Sequence, residues 1–167
     1  MASFEIHGPF KIPYEKRKGG RTLVFDKFWD EPSDANYLSE ERGCYVFGIR
    51  NRALTPIYVG KATKSFRQET FNGTNRYKYH SGFSNYGKGA PVMYFVVHPR
   101  RKGPVNQKYI AEIEDFLIQA GVAKNPDLQN VKGTHQPGWS IKGVIRHGAG
   151  KRSNAEIQFS SLFDIQK

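Results

Sequence analysis

The stretch from Gly43 to Gly60 constrains this chain more than any other. Two short apolar runs each carry a tyrosine, Tyr45 in the first and Tyr58 in the second, with a polar turn between them. Val, Ile, Phe and Tyr suit strands, and Asn51 with Pro56 breaks the chain between the runs, so the local reading is a β-hairpin. Paired across a hairpin and followed by Lys61 and Arg67, the two tyrosines look like part of a site for an anion.

Charge points the same way. Lys and Arg number 26 against 15 Asp and Glu, a formal net charge of +11, and the pI is about 9.8. Such an excess says nothing about fold but favours a polyanionic partner. No apolar run reaches the roughly 18 residues of a membrane span, and the first ten residues lack a signal-peptide apolar core, so a soluble, cytoplasmic protein without a membrane partner is expected. The single cysteine, Cys44, excludes an internal disulfide and any multi-cysteine zinc site, and reads as a buried thiol in a strand.

At 167 residues the chain reads as one globular body with three stretches: an N-terminal arm or hairpin over 1–42, a core over 43–131, and a basic C-terminal extension over 132–167 packed on the same domain. In the arm, Phe10–Tyr14 and Arg21–Phe25 flank a Lys-Arg-Lys-Gly-Gly turn, while Phe28 and Trp29 offer apolar anchors. After the hairpin, Lys61 to Phe71 carries a helix-start signal at Thr63 or Ser65, and Asn72-Gly73 ends it. The segment beyond reads as a basic loop, then Pro91 to Val97 as a buried third strand and Gln107 to Gly121 as the clearest helix. Trp139 to Ile145 could add one more strand. The expected fold class is α+β, a small three-stranded antiparallel sheet flanked by helices.

Between Thr70 and Ala111 there is no acidic residue. Arg76, Lys78, Lys88, Arg100, Arg101 and Lys102 are interleaved there with Tyr77, Tyr79, Phe83 and Tyr86; Lys142 and Arg146 extend the basic run into the tail. Cations neutralise phosphates and aromatic rings stack on bases, the mixture a nucleic-acid surface needs.

The helix carries one anomaly. Ile110, Ile113, Leu117 and Ala120 form an apolar stripe, with Glu112, Asp115 and Gln119 opposite. Glu114 falls inside the stripe. A carboxylate facing a core costs several kcal/mol unless paired or metal-bound, so the pattern leaves a salt bridge to Lys or Arg and a metal ligand equally open.

In order, Gly43-Cys44-Tyr45, Tyr58-Val59-Gly60, Lys61, the helical Arg67, Glu114 and Asn130 resemble the GIY-YIG nuclease family over about residues 43 to 131. The first tripeptide has Cys44 and the second Val59 where the family has isoleucine. One turn after the helical Arg, where many members place Tyr or His, stands Phe71; Tyr77, Tyr79 or His80 could fill its role, His80 being favoured.

What the resemblance implies is hydrolysis of DNA phosphodiester bonds with one divalent ion, Mg²⁺ with Mn²⁺ substituting, on Glu114. Arg67 would clamp phosphoryl oxygens, Tyr45 assisted by Tyr58 would activate water, Lys61 would lower the Tyr45 pKa, and Asn130 would fix neighbouring groups. A homodimer would allow both strands to be cut. Phe71 keeps a second reading open, a non-catalytic nucleic-acid-binding module with a decayed GIY-YIG site; a basic structural protein explains charge alone.

Overall fold

In the computed structural model, residues 2–30, 33–99, 104–134, 141–142, 144 and 150–162 are described. The hairpin forms as its sequence dictates: β4 (Gly43–Arg50) pairs antiparallel with β5 (Leu54–Ala62), placing Tyr45 opposite Gly60, Phe47 opposite Tyr58 and Cys44 opposite Lys61. A register shift after Phe47 leaves Ile57 as an extra residue, so Ile57 and Tyr58 both join the same core cluster. The apolar run at 91–97 becomes β6 (Ala90–Val97), paired to the other side of β4.

The main sheet has four strands rather than three, in the order β1-β6-β4-β5. The added strand, β1 (Glu5–Lys11), comes from the N-terminal stretch and pairs with β6, with a register break between His7 and Phe10 around Pro9. The arm is therefore integral to the sheet. A separate two-stranded hairpin, β2 (Tyr14–Arg17) with β3 (Gly20–Leu23), follows it.

Pairing sorts the side chains onto two faces, because partners directly opposite each other share a face. Tyr45, Phe47, Tyr58 and Ala62 join a large aromatic core with Phe25, Phe28, Trp29, Phe66, Phe71, Tyr79 and Phe95. On the other face Val59 packs with Ile118 and Leu128 beneath α3 (Gln107–Lys124), and the Cys44 thiol lies 3.3 Å from the Ile110 carbonyl.

The helix expected over 61–71 is only one turn, α1 (Phe66–Glu69), capped by Ser65. Its first amides are satisfied from the N-terminal arm: Phe66 N–H donates to Glu41 O and Arg67 N–H to Ser39 O, each 2.9 Å. The basic segment beyond is no loop but α2 (Gly73–Ser84). Asn72 accepts from Asn75 N–H, so the Asn-Gly pair that reads as a breaker is its N-cap.

α3 runs past Gly121 to Lys124. Gly121 serves packing instead of termination: a Cβ there would stand 3.2 Å from Leu128. Its buried row is Ile110, Ile118 and Gly121, with Glu114 four residues from each isoleucine, while Ala120 is exposed.

By contact the chain divides into residues 1–134 and 135–167. In the second unit α4 (Asn154–Leu162) starts at a capping box, Ser153 Oγ accepting from Glu156 N–H and Glu156 Oε2 from Ser153 N–H. The strand expected over 139–145 falls mostly outside the described residues. Among the described residues no helix is long and apolar enough to cross a membrane.

Candidate active site

The β4–β5 hairpin carries three of the candidate residues, Tyr45, Tyr58 and Lys61. The Tyr45 ring lies across Gly60, where a Cβ would come within 2.4 Å of its Cζ. Only glycine leaves that room, which explains why a glycine ends the second tripeptide. The rings of Tyr45 and Tyr58 are 6.4 Å apart. Tyr45 is 2% exposed and Tyr58 8%.

The Tyr45 hydroxyl accepts from Asn75 Nδ2 at 2.8 Å and donates to the Glu69 carbonyl at 3.4 Å. Burial pushes its pKa well above the ordinary phenol value, and Tyr58, Glu69 and Glu114 push further, outweighing the Asn75 hydrogen bond. This reverses the expected lowering by Lys61. Desolvation exceeds any nearby cation, and Lys61 is engaged elsewhere. Burial and then Glu114 raise Tyr58 as well.

Lys61 Nζ meets Glu114 Oε2 at 2.8 Å, with Glu114 17% and Lys61 41% exposed. This ion pair is one of the two roles open to Glu114. The hydrogen bond to Glu114 raises the Lys61 pKa. Cys44, opposite Lys61 on the neighbouring strand, is pushed up to about 12, chiefly by burial, and remains a thiol. By strand pairing, Lys61 shares the α3 face with Cys44 and Val59, while the tyrosines point to the aromatic face. The carboxylate's field nevertheless reaches both phenols.

The divalent ion implied by the resemblance would find one carboxylate here. Among the described residues no three His, Cys, Asp or Glu side chains gather as a ligand set. A lone, part-exposed carboxylate fits an ion that keeps most of its waters, as Mg²⁺ does, in competition with the Lys61 ammonium.

Arg67 faces the N-terminal arm: its guanidinium donates to the Trp29 carbonyl at 3.0 Å and to Asp30 Oδ1 at 3.3 Å. Asn130 clasps the free side of β5, accepting from Val59 N–H at 2.9 Å and donating to Val59 O at 2.8 Å. Phe71 is buried, 4.9 Å from the rings of both Phe25 and Phe28. Of the residues suggested in its stead, Tyr79 is fully buried and donates to Thr70 O, and Tyr77 is exposed. His80 lies edge-on to Phe25 with its pKa lowered by burial and then by Arg76.

On α2, Lys78 Nζ sits over the Tyr58 ring at 4.7 Å. Arg76 donates to the Phe71 carbonyl at 2.7 Å and faces Asp26 at 3.7 Å. Lys88 and Lys142 are exposed; Arg100, Arg101, Lys102 and Arg146 lie outside the described residues.

Two residues escaped sequence reasoning. Asn75 binds Tyr45 from a helix mistaken for a loop, and Glu69 Oε1 accepts from the backbone N–H groups of Thr63 and Lys64. A signal existed for the second, an acid four residues after Ser65 at a helix start. Compared with known proteins, the chain matches no family model, no curated protein and no solved structure.

Proposed function

We propose that this protein is a divalent-metal-dependent endonuclease that hydrolyses DNA phosphodiester bonds at the β4–β5 hairpin. One observation carries the reading: two phenols on neighbouring strands lie in the field of a single half-buried carboxylate, Glu114, beside a lysine, in a strongly basic chain. When bound at Glu114, Mg²⁺ or Mn²⁺ would supply Lewis acidity to the scissile phosphate and the leaving oxygen.

The chain's own residues have definite tasks. Lys61, already charged and held at the carboxylate, supplies positive charge to a phosphoryl oxygen. Arg67 presents a planar, permanently charged fork, which a phosphate reaches by replacing Asp30. With its proton held by burial, Tyr45 works as a neutral hydroxyl that orients water rather than as a base. Tyr58, the less enclosed phenol, stands nearer solvent beside Lys78. Asn130 fixes the backbone between Tyr58 and Gly60.

A second reading is favoured by a specific observation. Phe71 is locked in the aromatic core and both phenols are raised, the state expected of a nucleic-acid-binding module whose catalysis has lapsed. Supercoiled, linear, branched and single-stranded DNA incubated with Mg²⁺ or Mn²⁺ separate the two. Nicking that a chelator stops, and that Glu114→Ala lowers by about 10²–10³-fold while DNA binding persists, supports the nuclease. Binding without turnover in either metal selects the module.

A further inference from the structure

The β2–β3 hairpin has no part in the site above, yet its chemistry is pronounced. Lys16, Arg17 and Lys18 run consecutively to its tip, and Arg17 pairs with Gly20 across a two-residue turn of Lys18 and Gly19. An isolated two-stranded ribbon is marginal in water, so something must hold it. Arg21 does. Its guanidinium lies 4.1 Å from the Phe83 ring centre and donates to the carbonyls of Tyr86 and Gly89, tying the ribbon to the end of α2 and the turn before β6.

Between ribbon and turn lies a concave space of about 450 Å³. Arg17, Lys18, Gly19 and Gly20 form one wall, Ser84 and Gly87 part of the other, and no acidic residue lines it. Arg17 is already bound to Glu15 at 2.8 Å. Among the described residues no carboxylate pairs with Lys16 or Lys18, and the Arg21 charge is met by carbonyls and aromatic rings rather than by a carboxylate. A Cβ at Gly19, Gly20 or Gly87 would meet nothing within 4 Å. Their glycines leave bare backbone open to a ligand, and Gly19 holds φ +110°, which side-chain-bearing residues avoid.

We propose that this cradle binds a backbone phosphodiester of duplex DNA outside the hydrolytic centre. The inference rests on the nucleic-acid reading given above. A double-stranded polyanion fits better than a single small phosphate because the cations are spread along the ribbon, not converged on one point. The path is also short: Lys78, over Tyr58, and Ser84, in the cradle wall, are six residues apart on α2, ~9 Å along the helix axis. Along the axis that distance corresponds to about three phosphates of one strand at roughly 3.4 Å each.

Binding of a short fluorescent duplex, measured by anisotropy over a salt series, tests the cradle in the full chain. Lys16→Glu/Lys18→Glu is expected to raise Kd about tenfold or more and to flatten the slope of log K against log salt by about two. Both side chains are exposed, so the thermal melting curve should be unchanged. Cleavage, where present, should show a raised KM with kcat preserved. Competition by inorganic phosphate at millimolar concentration that empties the site as effectively as DNA would overturn the polyanion claim. Wild-type affinity and slope in the double variant would overturn the cradle and leave the nuclease reading standing. Absence of DNA binding by the wild-type chain would remove both.

Discussion

The two faces of the central sheet are built on opposite principles. One is packed with aromatic rings: Phe95 alone meets Phe10, Phe28, Trp29 and Phe66 with ring centres 4.6–6.3 Å apart. The other is a small aliphatic patch under α3, interrupted by the Lys61–Glu114 pair. Rings bury far more apolar surface than an ion pair returns once its desolvation is counted. Stability therefore resides mainly on the aromatic face, and the α3 face is free to carry charge. Tyr45 and Tyr58 belong to the first face by packing and to the second by electrostatics, which is why their phenols are hard to ionise.

That contrast can be broken by experiment. The largest effect should come from Phe95→Ala, a loss of about 3–5 kcal/mol in urea unfolding. Gly60→Ala, which drives a methyl into the Tyr45 ring, should cost about 1–3 kcal/mol. Asn75→Ala is expected to lose a similar 1–3 kcal/mol, since it removes the donor to the buried Tyr45 hydroxyl and one of the donors to the Glu69 carbonyl. On the other face, a double-mutant cycle of Lys61→Met and Glu114→Leu should give a coupling below about 1 kcal/mol, because Lys61 is well exposed. A coupling as large as the Phe95 effect would abolish the distinction between the faces.

Protonation sharpens it at smaller amplitude. Tyr45 and Tyr58 have folded pKa values above those of the unfolded chain, so their contribution is complete below about pH 10 and is lost as pH rises beyond it. Tyrosinate absorbance at alkaline pH should rise late in the native protein, in step with unfolding, and Tyr45→Phe should soften that limb. His80 is shifted the other way, its folded pKa below 6.5, so stability should fall as pH drops through that range. Melting temperatures from pH 7.5 to 5 for wild type and His80→Gln check the sign; a variant that declines equally refutes it.

What could be read from the chain divides along the same line. Strand pairing over 43–62, the run at 91–97 and the helix from Gln107 follow from periodicity and composition, and Glu114 announced itself by breaking a stripe. Helix α2 did not, because its buried residues, Asn75, Tyr79, Gly82 and Phe83, make no simple apolar stripe and Asn-Gly serves equally as turn or cap. β1 is not legible in the chain because its strand is mostly exposed and its sequence is interrupted at Gly8-Pro9; only the partner strand reveals it. The raised Tyr45 pKa, chiefly an effect of burial, is hidden from the sequence for a related reason. Lys61 follows Tyr58 in sequence, but the alternation of a strand turns it to the opposite face.

The two rims of the sheet have a consequence for assembly. Along the middle of β5, from Pro56 to Val59, outward backbone groups are answered by one short segment: Asn125 Nδ2 donates to Pro56 O, Gln129 N–H to Ile57 O, and Asn130 brackets Val59. Along β1, Pro9 brings no N–H and the ladder slips at that point. Neither rim offers an unbroken row of donors and acceptors to an incoming strand. Growth by strand addition is thus disfavoured at both ends, and a second copy of this chain docks more readily through side chains than by extending the sheet.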